Sequence, residues 1–233
     1  MKTKIIIFFL GNFLLVACKP AQKIVYKTDD IQLATNNKLD VSISIQPFED
    51  ARSEAKIHQT QLQAKNVVQK INNKQTCINA EELYKIPVGT QMADILSKHL
   101  IKKGYFKVVS VNQKELADYY VEAKIKHFYG TQDYSTAAAV GASFGLIGAI
   151  ATAGLKTDGL ILIELEDICI YNKEHQLVAK LDNFKKKYEG KFLVDANCYC
   201  IYQNLNEKLK EFNEELLAII WQDVQQAQTI NTK

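Results

Sequence analysis

Alternating apolar and polar positions divide this chain into strands before anything else is known about it. In Asp40 to Phe48, DVSISIQPF, Val41, Ile43 and Ile45 fall on one face and Ser42, Ser44 and Gln46 on the other. That period marks a half-buried strand. Pro47 ends it, having no N–H to donate to a ladder. Tyr105 to Val111 reads as a second strand and Asp118 to Tyr129 as a third. In the third, Tyr119, Val121, Ala123, Ile125 and His127 face one way; Tyr120, Glu122, Lys124, Lys126 and Phe128 face the other. A sheet with one wet face has this pattern. Asp158 to Tyr171 is the fourth strand. Ile161, Ile163 and Leu165 share a face, but Ile168 and Ile170 fall on the opposite one. The flip predicts a bulge or bend near Glu166-Asp167. Asn172 to His175 is a hairpin turn, and Gln176 to Glu189 a Lys-rich fifth strand. Its Lys185, Lys186 and Lys187 suit a guarded sheet edge; a basic run of this kind also suits contact with anionic lipid.

Two stretches carry helical spacing instead. Gly89 to Lys103 places Met92, Ile95, Leu96 and Leu100 on one stripe, with His99 packing beside it. Thr90 is the expected cap. Lys102 and Lys103 complement the negative end of the helix, and Gly104 suits the C′ position, where positive φ is easiest for glycine. Asp195 to Gln226 holds the last helix. Leu205, Leu209, Phe212, Leu216 and Ile219 step by four and three, and Leu217, Ile220 and Val224 widen the stripe. Asn112 to Ala117 is a turn or short helix. Ser53 to Pro87 reads as a long loop with short elements, including an extra strand around Asn66 to Ile71. The order predicts an α+β fold: a five-stranded, mostly antiparallel sheet with helices packed on one face.

One segment fits neither pattern. Tyr134 to Leu155, YSTAAAVGASFGLIGAIATAGL, holds no charge and is dense in Ala and Gly. As a helix its length would approach the ~30 Å of a bilayer core. A single crossing would leave the third and fourth strands on opposite sides of the membrane. A helical hairpin would give legs of only ~15 Å. Gly141 and Gly145 form a GxxxG step of the kind that lets helices approach closely in lipid. Val140, Gly141, Phe144, Gly145, Leu146, Ile147, Gly148 and Ile150 are therefore candidate contacts with a membrane or with other subunits. An internal connection buried between the strands is the alternative.

The N-terminus supplies a location. Lys2 and Lys4 precede an apolar run from Ile5 to Ala17, and Leu15-Val16-Ala17-Cys18 resembles a bacterial lipobox. Residues 1–17 are then a signal peptide, too short for a comfortable span. The resemblance implies an acylated Cys18 anchored in the bilayer; more than one acyl chain makes such anchoring stable. Residues 18–38 read as a tether, with Ile24-Val25-Tyr26 as an alternative edge segment, and residues 39–233 as one α/β domain carrying the 134–155 insert.

Removal of residues 1–17 takes the formal charge from +3 to +1. Near-neutrality argues against a nucleic-acid partner, which needs clustered Lys and Arg. Cys77, Cys169, Cys198 and Cys200 remain as possible disulfides, in a compartment that permits them; four cysteines allow three pairings, and the sequence leaves all three open. His58, His99, His127 and His175 are scattered without metal-ligand spacing. No cofactor motif appears, and no GxSxG or convincing carboxylate pair indicates a hydrolase. Glu164 and Glu166 share a strand face as solvating acids.

Two family resemblances follow. The strand ending in Pro47-Phe48, with Asp50-Ala51-Arg52 after it, is similar to the opening of YajG-type lipoproteins and of the TolB N-terminal domain. Asp50 and Arg52 read there as an exposed ion pair in a loop, or as a partner-binding turn. Lys102-Lys103-Gly104-Tyr105 with Val108-Val109, then Ala117-Asp118-Tyr119-Tyr120-Val121-Glu122-Ala123, then Ala138-Ala139-Val140-Gly141-Ala142, resembles the TraT family of outer-membrane lipoproteins. That resemblance implies a non-enzymatic outer-membrane lipoprotein that self-associates, with a surface role. A monomeric, periplasm-facing accessory or binding lipoprotein of an envelope transport or assembly system is the other expectation.

Overall fold

A computed structural model describes residues 39–53, 68–71, 74–78, 87–133, 156–193 and 199–231. The expected signal peptide, Cys18, the tether and the 134–155 segment lie outside the described residues. So do Cys198 and most of the stretch from Ser53 to Pro87.

The described chain runs β1 (Leu39–Ile45), β2 (Glu49–Asp50), β3 (Val68–Ile71), β4 (Lys74–Ile78), α1 (Val88–Lys103), β5 (Phe106–Val111), a 3-10 turn (Lys114–Leu116), β6 (Tyr119–Asp133), β7 (Lys156–Asn172), β8 (Leu177–Leu193) and α2 (Tyr199–Asn231). The α+β class holds, but the sheet differs from expectation. It has eight strands among the described residues and is mixed rather than mostly antiparallel. β1 lies parallel to both β5 and β6, and β2 is parallel to β6. The antiparallel part is the meander β6–β7–β8, with β4 and β3 added beyond β6. The parallel pairing arises because α1 carries the chain from β1 back to the start of β5. β3 and β4 form a hairpin where one extra strand was expected.

One edge of β6 is shared along its length. β1 pairs with its beginning, β2 with its middle and β4 with its end. Ile43, Ile45, Val121, Ile125, Ile161, Ile163, Leu165, Ile168 and Ile170 form the core face with both helices. The predicted bulge is present: Asp167 has φ 50, and the β6–β7 register slips between Glu122 and Lys124. It lets Ile168 and Ile170 rejoin the face of Leu165.

A second slip, between Ile125 and His127, corrects the sequence reading of β6. It puts Phe128 wholly in the core and leaves His127 half-buried. Strict alternation had them the other way round. In α2 the buried stripe drifts from Leu216 to Leu217, Ile220 and Val224, leaving Ile219 half-buried. At 3.6 residues per turn a four-three spacing turns slowly away from a fixed face.

α1 ends at Gly104 with φ 65, its N–H bonded to the carbonyls of Leu100 and Ile101. Its start corrects the expected Thr90 cap: Pro87 is the N-cap and no side chain caps the helix. Backbone docking holds that end. Phe48 N donates to Gly89 O at 3.2 Å, and a Cβ on Gly89 would sit 1.9 Å from Phe48 O. Among the described residues no helix is long and apolar enough to cross a membrane.

Candidate functional site

The sheet face opposite the helices carries the polar chemistry. Across β7 and β8 it is laced with ion pairs. Glu164 is only 3% exposed at its side chain, not the solvated acid expected. Asn183 Nδ2 donates to its Oε1 at 2.7 Å, and Lys185 Nζ pairs with its Oε2 at 2.9 Å. Burial alone would raise the Glu164 carboxyl; the hydrogen bonds and charge of Lys185 and Asn183 outweigh it and hold the pKa below the usual value. Lys126 spans Glu166 and Glu164 at 3.1 and 3.7 Å.

β8 pairs with β7 alone among the described residues, so it is an edge, as its lysines suggested. Lys185, Lys186 and Lys187 are each matched by an acid: Glu164, Glu215 and Glu189. The basic run is therefore neutralised within the domain, which weakens it as a lipid-binding patch.

A cleft of about 550 Å³ opens on the same face, where the β1–β2 connection, β6, β7 and β8 meet. Gln46, Pro47 and Glu49 form one wall, and Leu177 and Lys180 the other. Glu122, Cys169 and Tyr171 line the space between them. At its centre the bulge aims Asp167 so that one carboxylate bridges two ammonium groups. Lys124 Nζ lies 3.1 Å from Oδ2 and Lys180 Nζ 3.1 Å from Oδ1. Hydrogen bonds from Lys180 and Lys124 lower the Asp167 pKa. Beside the cleft Tyr120 stacks on Tyr171 at 5.0 Å, and its hydroxyl meets His175 Nδ1 at 2.9 Å. The pattern gave no direct signal for this cleft beyond the phase flip that locates the bulge. Among the described residues no group of three His, Cys, Asp or Glu is arranged to hold a metal.

Asp50 and Arg52 do not form the exposed loop pair expected. Arg52 is fully buried, and its Nε and Nη2 donate to Asp50 Oδ1 and Oδ2 at 2.8 and 2.7 Å. Burial tends to raise the Asp50 carboxyl, but the hydrogen bonds and charge of Arg52 hold it below its ordinary value. The pair fastens the turn after β2 to the fold.

The cysteines separate. Cys169 is buried in the cleft with a free thiol. Cys77 on β4 lies opposite Gly130, which lies opposite Ile161. Cys169 is eight residues further along β7, ~26 Å at strand rise. A disulfide needs Cα atoms within ~7 Å, so Cys77 and Cys169 do not pair. Cys200 lies in the first turn of α2, and its side chain lies outside the described residues. Of the candidate membrane or subunit contacts from Val140 to Ile150, only the flanks are described. Gln132 pairs with Gly159, so β6 and β7 deliver the two ends of that segment side by side at the same end of the sheet.

No known protein family matches the chain, and no curated protein matches it. Among solved structures it is similar to a Xanthomonas campestris protein of the DUF330 family. The TM-score is 0.52 at 11% identity, over 86% of this chain and 96% of that one. This likeness is one of fold. A putative neuraminyllactose-binding hemagglutinin homolog from Helicobacter pylori aligns over 88% of this chain and 96% of its own, at 10% identity and TM-score 0.42.

Proposed function

We propose that this chain is a non-enzymatic lipoprotein of the bacterial outer membrane, held by an acylated Cys18, that presents residues 134–155 to protein partners in the envelope, further copies of itself first among them. One relationship supports this reading. Leu39, where the chain from the anchor enters the sheet, pairs with Phe106 below the start of β6. Asp133 and Lys156, which flank the uncharged segment, are at the far end of that strand. β6 from Tyr119 to Asp133 spans about 45 Å. An anchor root and an uncharged segment at opposite ends suit a domain that reaches away from its own membrane. They suit less a segment that dips into that membrane. The small residues of 134–155 leave room for a partner's backbone to approach closely.

The second reading is a monomeric accessory lipoprotein of an envelope transport or assembly system. What favours it is a core formed within one chain, with only Val108, Leu116, Leu177 and Ile230 as large exposed apolar residues among those described. Particle mass in mild detergent separates the two. The first expects an oligomer that falls to monomer when residues 138–153 are deleted. A monomer before and after deletion removes it in favour of the second. Cys18→Ala is expected to move the protein from the membrane to the aqueous fraction; unchanged fractionation removes the lipid anchor.

A further inference from the structure

The two edges of the sheet are treated differently. β8 is defended by lysines and their acids. β5, FKVVSV, pairs only with β1 among the described residues and is apolar, β-branched and without proline. Its single charge, Lys107, is taken by Asp40 at 2.7 Å. Val108 is 52% exposed, and Val109 and Val111 are only partly buried at the rim of the core. Unguarded edges of this kind accept another strand.

We infer that residues 23–27 of this same chain, Lys-Ile-Val-Tyr-Lys, add to β5 as an antiparallel outer strand. Chain placement is the first argument. The segment before β1 enters the fold at the foot of β5, where Leu39 N bonds Tyr105 O at 2.8 Å. The ten residues 28–37 reach up to ~35 Å, far more than the ~10 Å across two strand spacings. Spacing is the second. Ile24 and Tyr26 are two apart, as are Val109 and Val111, so one pair covers the other and closes the core rim. Chain connection sets the direction. Running antiparallel to β5 brings residue 27 to its foot, from which the chain returns to Leu39, and places Asp29-Asp30 near the last-turn Lys102 of α1. Being tethered gives this segment a high effective concentration over any other strand.

The consequence is a short leash. Only residues 19–22 would separate Cys18 from the folded sheet, ~14 Å of chain instead of ~70 Å for the whole of 19–38, and they would leave it beside Val111 rather than Leu39, level with Val121 of β6 and still ~40 Å along that strand from Asp133. The inference does not depend on acylation and is read equally well on a Cys18→Ala protein.

Hydrogen exchange on the full chain in mild detergent tests it, beside a Tyr26→Pro variant. Asn112 N bonds Ile45 O at 3.0 Å, so the backbone groups of Val108 and Ser110 face β1 and those of Val109 and Val111 face outward. Opposite Val109 and Val111, the amides of Ile24 and Tyr26 point into the added ladder, and these two are expected to exchange at least about 100-fold slower than unstructured peptide. Tyr26→Pro removes one of the ladder donors and should then speed exchange at Ile24, Val109 and Val111. Random-coil rates at Ile24 and Tyr26 in the unaltered chain overturn the inference. A protected β5 with unprotected Ile24 and Tyr26 and a doubled particle mass overturns it too, because a second copy then holds the edge.

Discussion

Arg52 lies wholly inside the fold and grips both carboxylate oxygens of Asp50, two residues before it, at 2.7 and 2.8 Å. Hydrogen bonds to a charged group contribute about 1.5–3 kcal/mol each. Asp50→Asn takes the charge from two of those that hold Arg52, and is expected to lower unfolding stability by roughly 2 kcal/mol at neutral pH. Urea unfolding measures it, and a loss under about 0.5 kcal/mol, within ordinary surface scatter, would show that the clamp is ornamental.

The same pair makes stability depend on acid. Arg52 depresses the folded-state pKa of Asp50. A carboxyl depressed on folding stabilises fully above its unfolded pKa, near 3.9. That contribution disappears as pH falls from there through the lower folded value. Glu164, also depressed, acts in the same direction. The gap between the native chain and Asp50→Asn should be constant from pH 7 to pH 5 and narrow below about 4. A gap that widens on acidification contradicts this sign.

Gly89 has no room for a side chain. Its Cβ would lie 1.9 Å from the backbone oxygen of Phe48, which cannot rotate away. Gly89→Ala should push α1 off the end of β1 at a loss of about 3 kcal/mol or more. Thermal unfolding reads the effect, and an unchanged midpoint would mean that α1 is not seated on Phe48.

The second slip in β6 reverses the weights of two neighbours. Phe128→Ala should lose about 3–5 kcal/mol, and His127→Ala about 1 kcal/mol or less. Equal losses in chemical denaturation would return β6 to uninterrupted alternation.

Cys169 should remain a free thiol. Non-reducing peptide mapping is expected to yield no Cys77–Cys169 peptide, and thiol labelling of Cys169 should be slow until the chain is unfolded. Recovery of that cross-linked peptide from native protein would break the β4–β6–β7 register.

Local period carried much of the fold. The strand over Val41–Ile45, the stripe through Met92 and Leu100, the Gly104 stop and the flip at Asp167 all follow from which positions are apolar. These features are set by neighbours a few residues away. The uncharged run at 134–155 and the lipobox-like start are likewise plain in the letters alone.

Partnership was decided only in three dimensions. No local signal says that β1 lies between β5 and β6, because parallel pairing joins segments about seventy residues apart through a helix. The slip at Lys126 has no marker residue, so alternation misassigned Phe128 and His127. Arg52 looked exposed beside Asp50 because burial depends on what packs over a turn. The opposite placement of Leu39 and Asp133, and the ~26 Å between Cys77 and Cys169, come from register summed across several strands. Side-chain period is a property of one strand, whereas distance across a sheet is a property of all of them together.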